Sequence, residues 1–149
     1  MSNAALIDAS VAVKWVIPEE HSEQARALLD DARRLRRPLV GPPILASEVT
    51  NAIFQRMRRR DISQAEAQHA LTAYLDFSVR LIELPALYRY AFKFARDHDM
   101  KSTYDGLYVA LAAELETTLW TDDQGLLDSV GETFFVRWIG DYKAVGEAK

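Results

Sequence analysis

Along this chain, short apolar runs alternate with longer stretches whose apolar residues recur every three or four positions. Ala4 to Ile7 is apolar without polar alternation, as expected of a strand buried on both faces, and it ends at Asp8. Ser10 is placed to cap a short helix through Val16, which Pro18 stops. Glu19 and Glu20 suit the start of a second helix, to about Leu35, with Ala25, Leu28, Leu29 and Ala32 on one face. Pro38 to Gly41 forms a brief strand, and Pro42-Pro43 turns the chain into a helix from about Ile44 to Arg59. Ser63 caps the next helix, Gln64 to about Asp76. Val79 to Leu84 reads as a strand, Pro85 starts a helix to about Asp97, and Ser102 or Thr103 starts another through Glu116. Thr117 to Thr121 is a late strand, a short helix follows from Asp123, and Phe134 to Ile139 forms a last strand before a polar tail from about residue 141.

Strands alternating with helices predict an α/β fold, a three-layer α/β/α sandwich with a mostly parallel central sheet. Residues 1–149 read as one domain, with no repeat and no linker long enough to divide them. Ser2-Asn3-Ala4 resembles an expression scar and carries no structural weight. In open α/β sheets, ligands bind beyond the carboxyl ends of the strands, so acids placed just after strands are the first candidates for chemistry.

Composition narrows that chemistry. The chain is 49% hydrophobic and 27% charged, an ordinary globular balance that sets aside disordered and fibrous readings. It has no cysteine, which excludes disulfides, thiolate metal sites and thiol nucleophiles and fits a cytoplasmic setting. No apolar run is long enough to span a bilayer, so no membrane association is expected. The net charge of -4 argues against a globally basic nucleic-acid surface, so any such contact must be local. Arg33, Arg34, Arg36 and Arg37 form one basic cluster, and Arg56, Arg58, Arg59 and Arg60 a second. Each is either a solvated helix end complementing the macrodipole or a contact for RNA phosphates, with Arg36, Arg37, Arg56, Arg59 and Arg60 as the RNA-binding candidates.

Four acids stand out. Asp8 follows the first strand and Asp123 follows the Thr117 to Thr121 strand; each is either a helix cap or part of a shared crevice. Glu48 projects from the flank of an apolar helix face, with Asn51 and Gln55 beside it, where it is either solvated or in need of a partner. Asp105 falls in the first turn of its helix, three residues after Ser102, where it completes a capping box or reaches the same sheet edge. Gathering four carboxylates costs several kcal/mol unless cations fill the cluster. With all-oxygen donors and no clustered His, Mg²⁺ fits best, or Mn²⁺, and magnesium in turn prefers phosphate-bearing substrates.

These residues resemble a known family. Asp8 to Trp15 with Pro18-Glu19, Glu48 to Ala52, Tyr104 to Ala112, and Thr121 to Leu126 are similar, in that order, to the four motifs of PIN-domain toxins of the VapC type. The resemblance implies a Mg²⁺- or Mn²⁺-dependent endoribonuclease, a homodimer, and a cognate antitoxin protein that blocks the site. It assigns the catalytic positions to Asp8, Glu48, Asp105 and Asp123, with Asp8, Asp105 and Asp123 on the metal and Ser10, Asn51 and Thr121 in support. Asn51 and Thr121 are equally readable as local hydrogen-bonding groups. Asp122 adds a second acid beside Asp123, which leaves a swap or a shared role open in sequence, although the motif spacing points to Asp123. The rival readings are a PIN-like module that grips RNA or a protein without cutting it, and a metal nuclease directed at DNA.

Overall fold

The computed structural model describes residues 3–131 and 135–146. The elements are β1 (Ala5–Ile7), α1 (Ala9–Ala12), a 3-10 turn (Val13–Trp15), α2 (Ser22–Arg34), β2 (Leu39–Gly41), α3 (Ile44–Arg58), α4 (Gln64–Asp76), β3 (Arg80–Leu81), α5 (Pro85–Asp97), α6 (Tyr104–Leu115), β4 (Leu119–Thr121), α7 (Gln124–Val130), β5 (Val136–Trp138) and a second 3-10 turn (Ile139–Asp141). Ser2, Phe134 and the end of the polar tail lie outside the described residues.

The five strands form one sheet in the order β3-β2-β1-β4-β5, and every pairing is parallel. Adjacent residues of a strand point to opposite faces. Leu6 and Ile7 are both fully buried, so helices cover the sheet on both sides, as the uninterrupted apolar run predicts. The chain moves outward from β1 through β2 to β3, then returns to place β4 on the other side of β1. That reversal makes the carboxyl ends of β1 and β4, where Asp8 and the Thr121–Asp123 segment emerge, the switch point of the sheet.

Two local differences from the sequence reading have physical causes. The expected strand Val79 to Leu84 contracts to Arg80–Leu81, an exposed edge strand whose pairing ends after Ile82 donates to the Gly41 carbonyl at 2.8 Å. A short edge limits pairing with other chains. α2 starts at Ser22 rather than at the glutamates, because Lys14 binds the Glu19 side chain and the Glu20 carbonyl, while Ser22 Oγ accepts the Glu19 N–H. Trp15 is core, its indole N–H donating to the Ala25 carbonyl and its ring meeting Phe77 edge-on.

α6 carries Asp105 and is placed by α5. Gly106 lies so close to α5 that a Cβ on it would sit 2.9 Å from both the Cα and the carbonyl oxygen of Ala91. Gly106→Ala is therefore expected to cost about 1–3 kcal/mol through overpacking, exceeding the roughly 1 kcal/mol that alanine gains in helix propensity. Thermal unfolding checks this, and a more stable variant would show that the two helices part without strain.

Candidate active site

Asp8 ends β1 and is the N-cap of α1, accepting the Val11 N–H at 3.3 Å. The expected cap, Ser10, does not perform that task. Its hydroxyl donates to Asp8 Oδ1 at 2.5 Å and accepts the Asp122 N–H at 2.8 Å, linking β1 to the turn after β4. Thr121, fully buried at the end of β4, donates to the other Asp8 oxygen and accepts the Asp123 N–H at 2.9 Å. Asp123 caps α7 through the Leu126 N–H at 3.2 Å. Both strand-end acids are thus helix caps; the Thr121 hydroxyl ties them together, and the Ser10 hydroxyl ties Asp8 to the backbone of Asp122.

Glu48 comes in from α3, one oxygen bound by the hydroxyl of buried Tyr108 on α6 at 2.5 Å. Asp105 lies in the first turn of α6 and is half-buried. The capping-box reading of this acid does not hold: Thr103 is the N-cap, and no side chain caps the helix. Among the described residues Asp105 accepts no hydrogen bond and no cation pairs with it.

Charge and burial give the site its character. Burial pushes the Asp8 carboxyl up to about 7, against the pull of Ser10, Thr121 and Val11, with a further push from Asp123. Burial, then the charges of Asp123 and Glu48, raise Asp105 to about 6. Burial and Asp123 also raise Glu48, while Tyr108 opposes the shift. Asp123 is the common neighbour whose charge reaches the other three. The structure therefore brings Asp8, Glu48, Asp105 and Asp123 into one electrostatic group.

No Lys or Arg forms an ion pair with any of these four among the described residues. Their oxygen-only donor set and excess negative charge fit a hard divalent cation in kind. Among the same residues, no three acids or histidines converge on one ion position. The hydrogen bonds explain this: Asp8, Glu48 and Asp123 each turn oxygens toward local donors. Mutual repulsion acts in the same direction.

The turn after β4 separates its two consecutive aspartates. Asp122 Oδ2 pairs with Lys14 at 2.8 Å and its Oδ1 accepts the Trp138 indole N–H at 2.7 Å, so both oxygens are engaged away from the group. Asn51, by contrast, is exposed and accepts a hydrogen bond from Gln55 at 3.4 Å, with none to the four acids. Lys14, Tyr108 and Trp138 are the contacts the sequence reading missed. Lys14 had a signal, since a lysine inside the run Val11 to Val16 must find partners once buried.

The arginines are dispersed. Arg56 is committed to Glu19 and Arg59 faces Asp61 at 3.4 Å, while Arg36, Arg37 and Arg60 have no acidic partner among the described residues. Leu39 pairs with Ala5 in parallel register, which puts Arg37 five residues from the level of Asp8, about 16 Å along the sheet. Arg36 and Arg37 thus stand at the opposite end of the sheet from the acids.

A stretch from β1 to just past α7, residues 5–132, matches the family described as the PIN domain, and it contains all four acids. The chain belongs to the PIN-domain family. This PIN domain is 30% identical over 125 residues to ribonuclease VapC3 of Pyrobaculum aerophilum, an alignment covering 83% of this chain and 92% of that relative. The crystal structure of PAE2754 from the same organism has the same fold, with a TM-score of 0.67 at 20% identity, covering 94% of this chain and 93% of that one. The PIN and VapC resemblance read from the four motifs is borne out, as is the α/β sandwich, whose sheet proves wholly parallel.

Proposed function

We propose that this PIN domain is an endoribonuclease that hydrolyses RNA phosphodiesters with Mg²⁺ or Mn²⁺ and acts as the toxin of a toxin–antitoxin pair. The observation that carries the chemistry is the uncompensated group Asp8, Glu48, Asp105 and Asp123 at the switch point of the sheet. The 30% identity to a VapC ribonuclease, across nearly the whole of that relative, supports RNA as substrate and an antitoxin as partner.

In this reading Asp8, Asp105 and Asp123 hold the cation. Once bound, it supplies positive charge that lowers the pKa of a water near the phosphate and offsets charge building on the leaving oxygen. Ser10 and Thr121 fix the direction of both Asp8 oxygens, so their lone pairs are set before substrate arrives. Glu48 arrives from a helix face, and its raised affinity for protons suits it to take one from the attacking water. Tyr108 keeps that carboxylate oriented. Asn51, on the exposed side of α3, is left as a contact for substrate flanking the scissile bond.

The decisive experiment incubates purified protein with single-stranded RNA and, in parallel, single-stranded DNA. Cleavage of RNA with Mg²⁺ or Mn²⁺ that stops with a chelator is the expected result. A protein inert with both ions is not the enzyme proposed here, and preferential cutting of DNA assigns it to the other substrate.

Arg36, Arg37 and Arg60 are proposed to contact RNA phosphates away from the scissile bond, with Arg59 free to exchange its exposed Asp61 pairing for a phosphate. Arg56 contributes through its pairing with Glu19. Arg37→Ala should flatten the slope of log affinity against log salt by about 0.7 for single-stranded RNA, measured in chelator. An unchanged slope would leave Arg37 as a solvated helix end. Leu84 at the N-cap of α5 and Tyr88 and Phe92 on that helix recur at four-residue spacing and stay exposed, surface of the kind a subunit contact covers, which supports a homodimer. No helix among the described residues is long and apolar enough to cross a membrane, and the absence of cysteine accords with a cytoplasmic setting.

A further inference from the structure

β4 ends at Thr121, and the backbone is extended again at Asp123, at φ -83° and ψ 103°. In extended chain, side chains alternate, so residues 121 and 123 share one side and residue 122 takes the other. Thr121 faces Asp8, and the charge of Asp123 reaches Asp8, Glu48 and Asp105. A rotation of this turn by one residue would exchange the two aspartates, much as a one-residue slip flips a strand. Something has to hold the choice.

Lys14 is placed to do so. It lies in the 3-10 turn that follows α1, is 4% exposed, donates to Glu19 Oε1 at 3.1 Å and to the Glu20 carbonyl at 2.9 Å, and forms an ion pair with Asp122 Oδ2 at 2.8 Å. Trp138 on β5 takes the remaining Asp122 oxygen, and Arg56 on α3 takes the second oxygen of Glu19. A chain of charges thus runs from the helix that carries Glu48, beneath the segment that carries Asp8, to the turn that carries Asp123. Lys14 does not neutralise the four acids, because its charge is shared between Glu19 and Asp122.

We propose that Lys14 is a positioning residue that holds Asp122 on the far side of the β4–α7 turn, so that Asp123 alone of the pair joins the cation-binding carboxylates. This rests on the reading of those carboxylates as a cation site. Removing the lysine frees a half-buried aspartate with no counter-charge, and the turn can then relieve it by presenting Asp122 to the incoming cation in place of Asp123.

The test is calorimetric titration of the purified full chain with Mn²⁺, alongside RNA cleavage. Lys14→Met should weaken Mn²⁺ binding about tenfold. The double variant Lys14→Met with Asp122→Asn should return to within about threefold of wild type. Lys14→Met with Glu19→Gln removes as much buried negative charge yet leaves Asp122 free, so it should not recover. Equal recovery in both double variants would mean that Lys14 only balances charge, and recovery in neither would mean that Asp122 is not what it restrains; either overturns the proposal. If Lys14→Met does not fold, the single variants still decide. Asp122→Asn should keep Mn²⁺ affinity within about threefold while Asp123→Asn loses at least about tenfold, and equal losses would place both aspartates in the site. A wild type that takes up no Mn²⁺ overturns the cation reading itself, and this proposal with it, whereas normal uptake with equal losses overturns the proposal alone.

Discussion

Asp8→Asn is expected to reduce RNA cleavage on the order of 10³-fold while making the cation-free protein more stable at neutral pH. The two effects have opposite signs because one side chain sits in two energy terms. For chemistry, Asp8 brings negative charge to the cation, and an amide of the same shape does not. For folding, that charge is a burden: the group is buried and Asp123 repels it, which is why its carboxyl titrates at about 7. A tenfold change in proton affinity corresponds to about 1.4 kcal/mol. Asparagine keeps an acceptor for the Val11 N–H and the Ser10 hydroxyl, but it must rearrange the contact with Thr121. A net gain of about 1–2 kcal/mol in the presence of chelator remains after that loss. Asp105→Asn should behave alike, with no hydrogen bond to forfeit. Cleavage rates at saturating Mg²⁺ and Mn²⁺ with parallel melting curves decide the matter. Wild-type rates would remove Asp8 from the chemistry, and lost activity with a collapsed melting temperature would reassign it to the fold.

The signs that placed these acids were legible in sequence to different depths. β1, α4 and α5 followed their patterns closely because each rests on a local device: an uninterrupted apolar run, the reciprocal Ser63–Glu66 capping box, and Pro85 in the first turn. Glu48 and Asp105 could be named, but their connection passes through Tyr108, sixty residues from Glu48, and no local pattern announces such a pair. The cap of α1 went to Asp8 and not to Ser10 because Ser10 had a long-range partner in the Asp122 backbone. The ambiguity between Asp122 and Asp123 was unresolvable for the same reason, since Lys14 and Trp138 reach that turn from other segments of the chain. Periodicity and turn chemistry report what a segment does with its neighbours, whereas choices between adjacent side chains depend on contacts that only the assembled sheet creates.

A pH series on the cation-free protein should show the largest change in stability. Asp8 at about 7 and Asp105 at about 6 both titrate above their ordinary values, and Glu48 moves the same way. A carboxyl whose pKa is raised by folding holds its proton more tightly in the native chain. Its contribution to stability is full below the unfolded value near 4 and is lost as pH rises through the folded value. The loss therefore begins near pH 4 and is complete by about pH 8. Asp31 works in the other direction. Burial pushes it up, but hydrogen bonds from Tyr142 and Val145 and the Arg34 guanidinium outweigh that and hold it below its usual value. Its stabilisation is present above the unfolded value and disappears only as pH falls through the lower folded one, so it does not offset the neutral-pH loss. Solvent access at Asp105 reduces the sum of the shifts, leaving a decline of about 3 kcal/mol from pH 5 to pH 8. For a chain of this length that is roughly a 6–12 °C fall in melting temperature. Mn²⁺ should remove the decline, because the ion binds the ionised carboxylates of the folded state and stabilises it by mass action where repulsion is greatest. A melting temperature that stays flat in chelator across this range, or that rises, would mean the four acids are already compensated, and the case for a cation among them would lose its electrostatic basis.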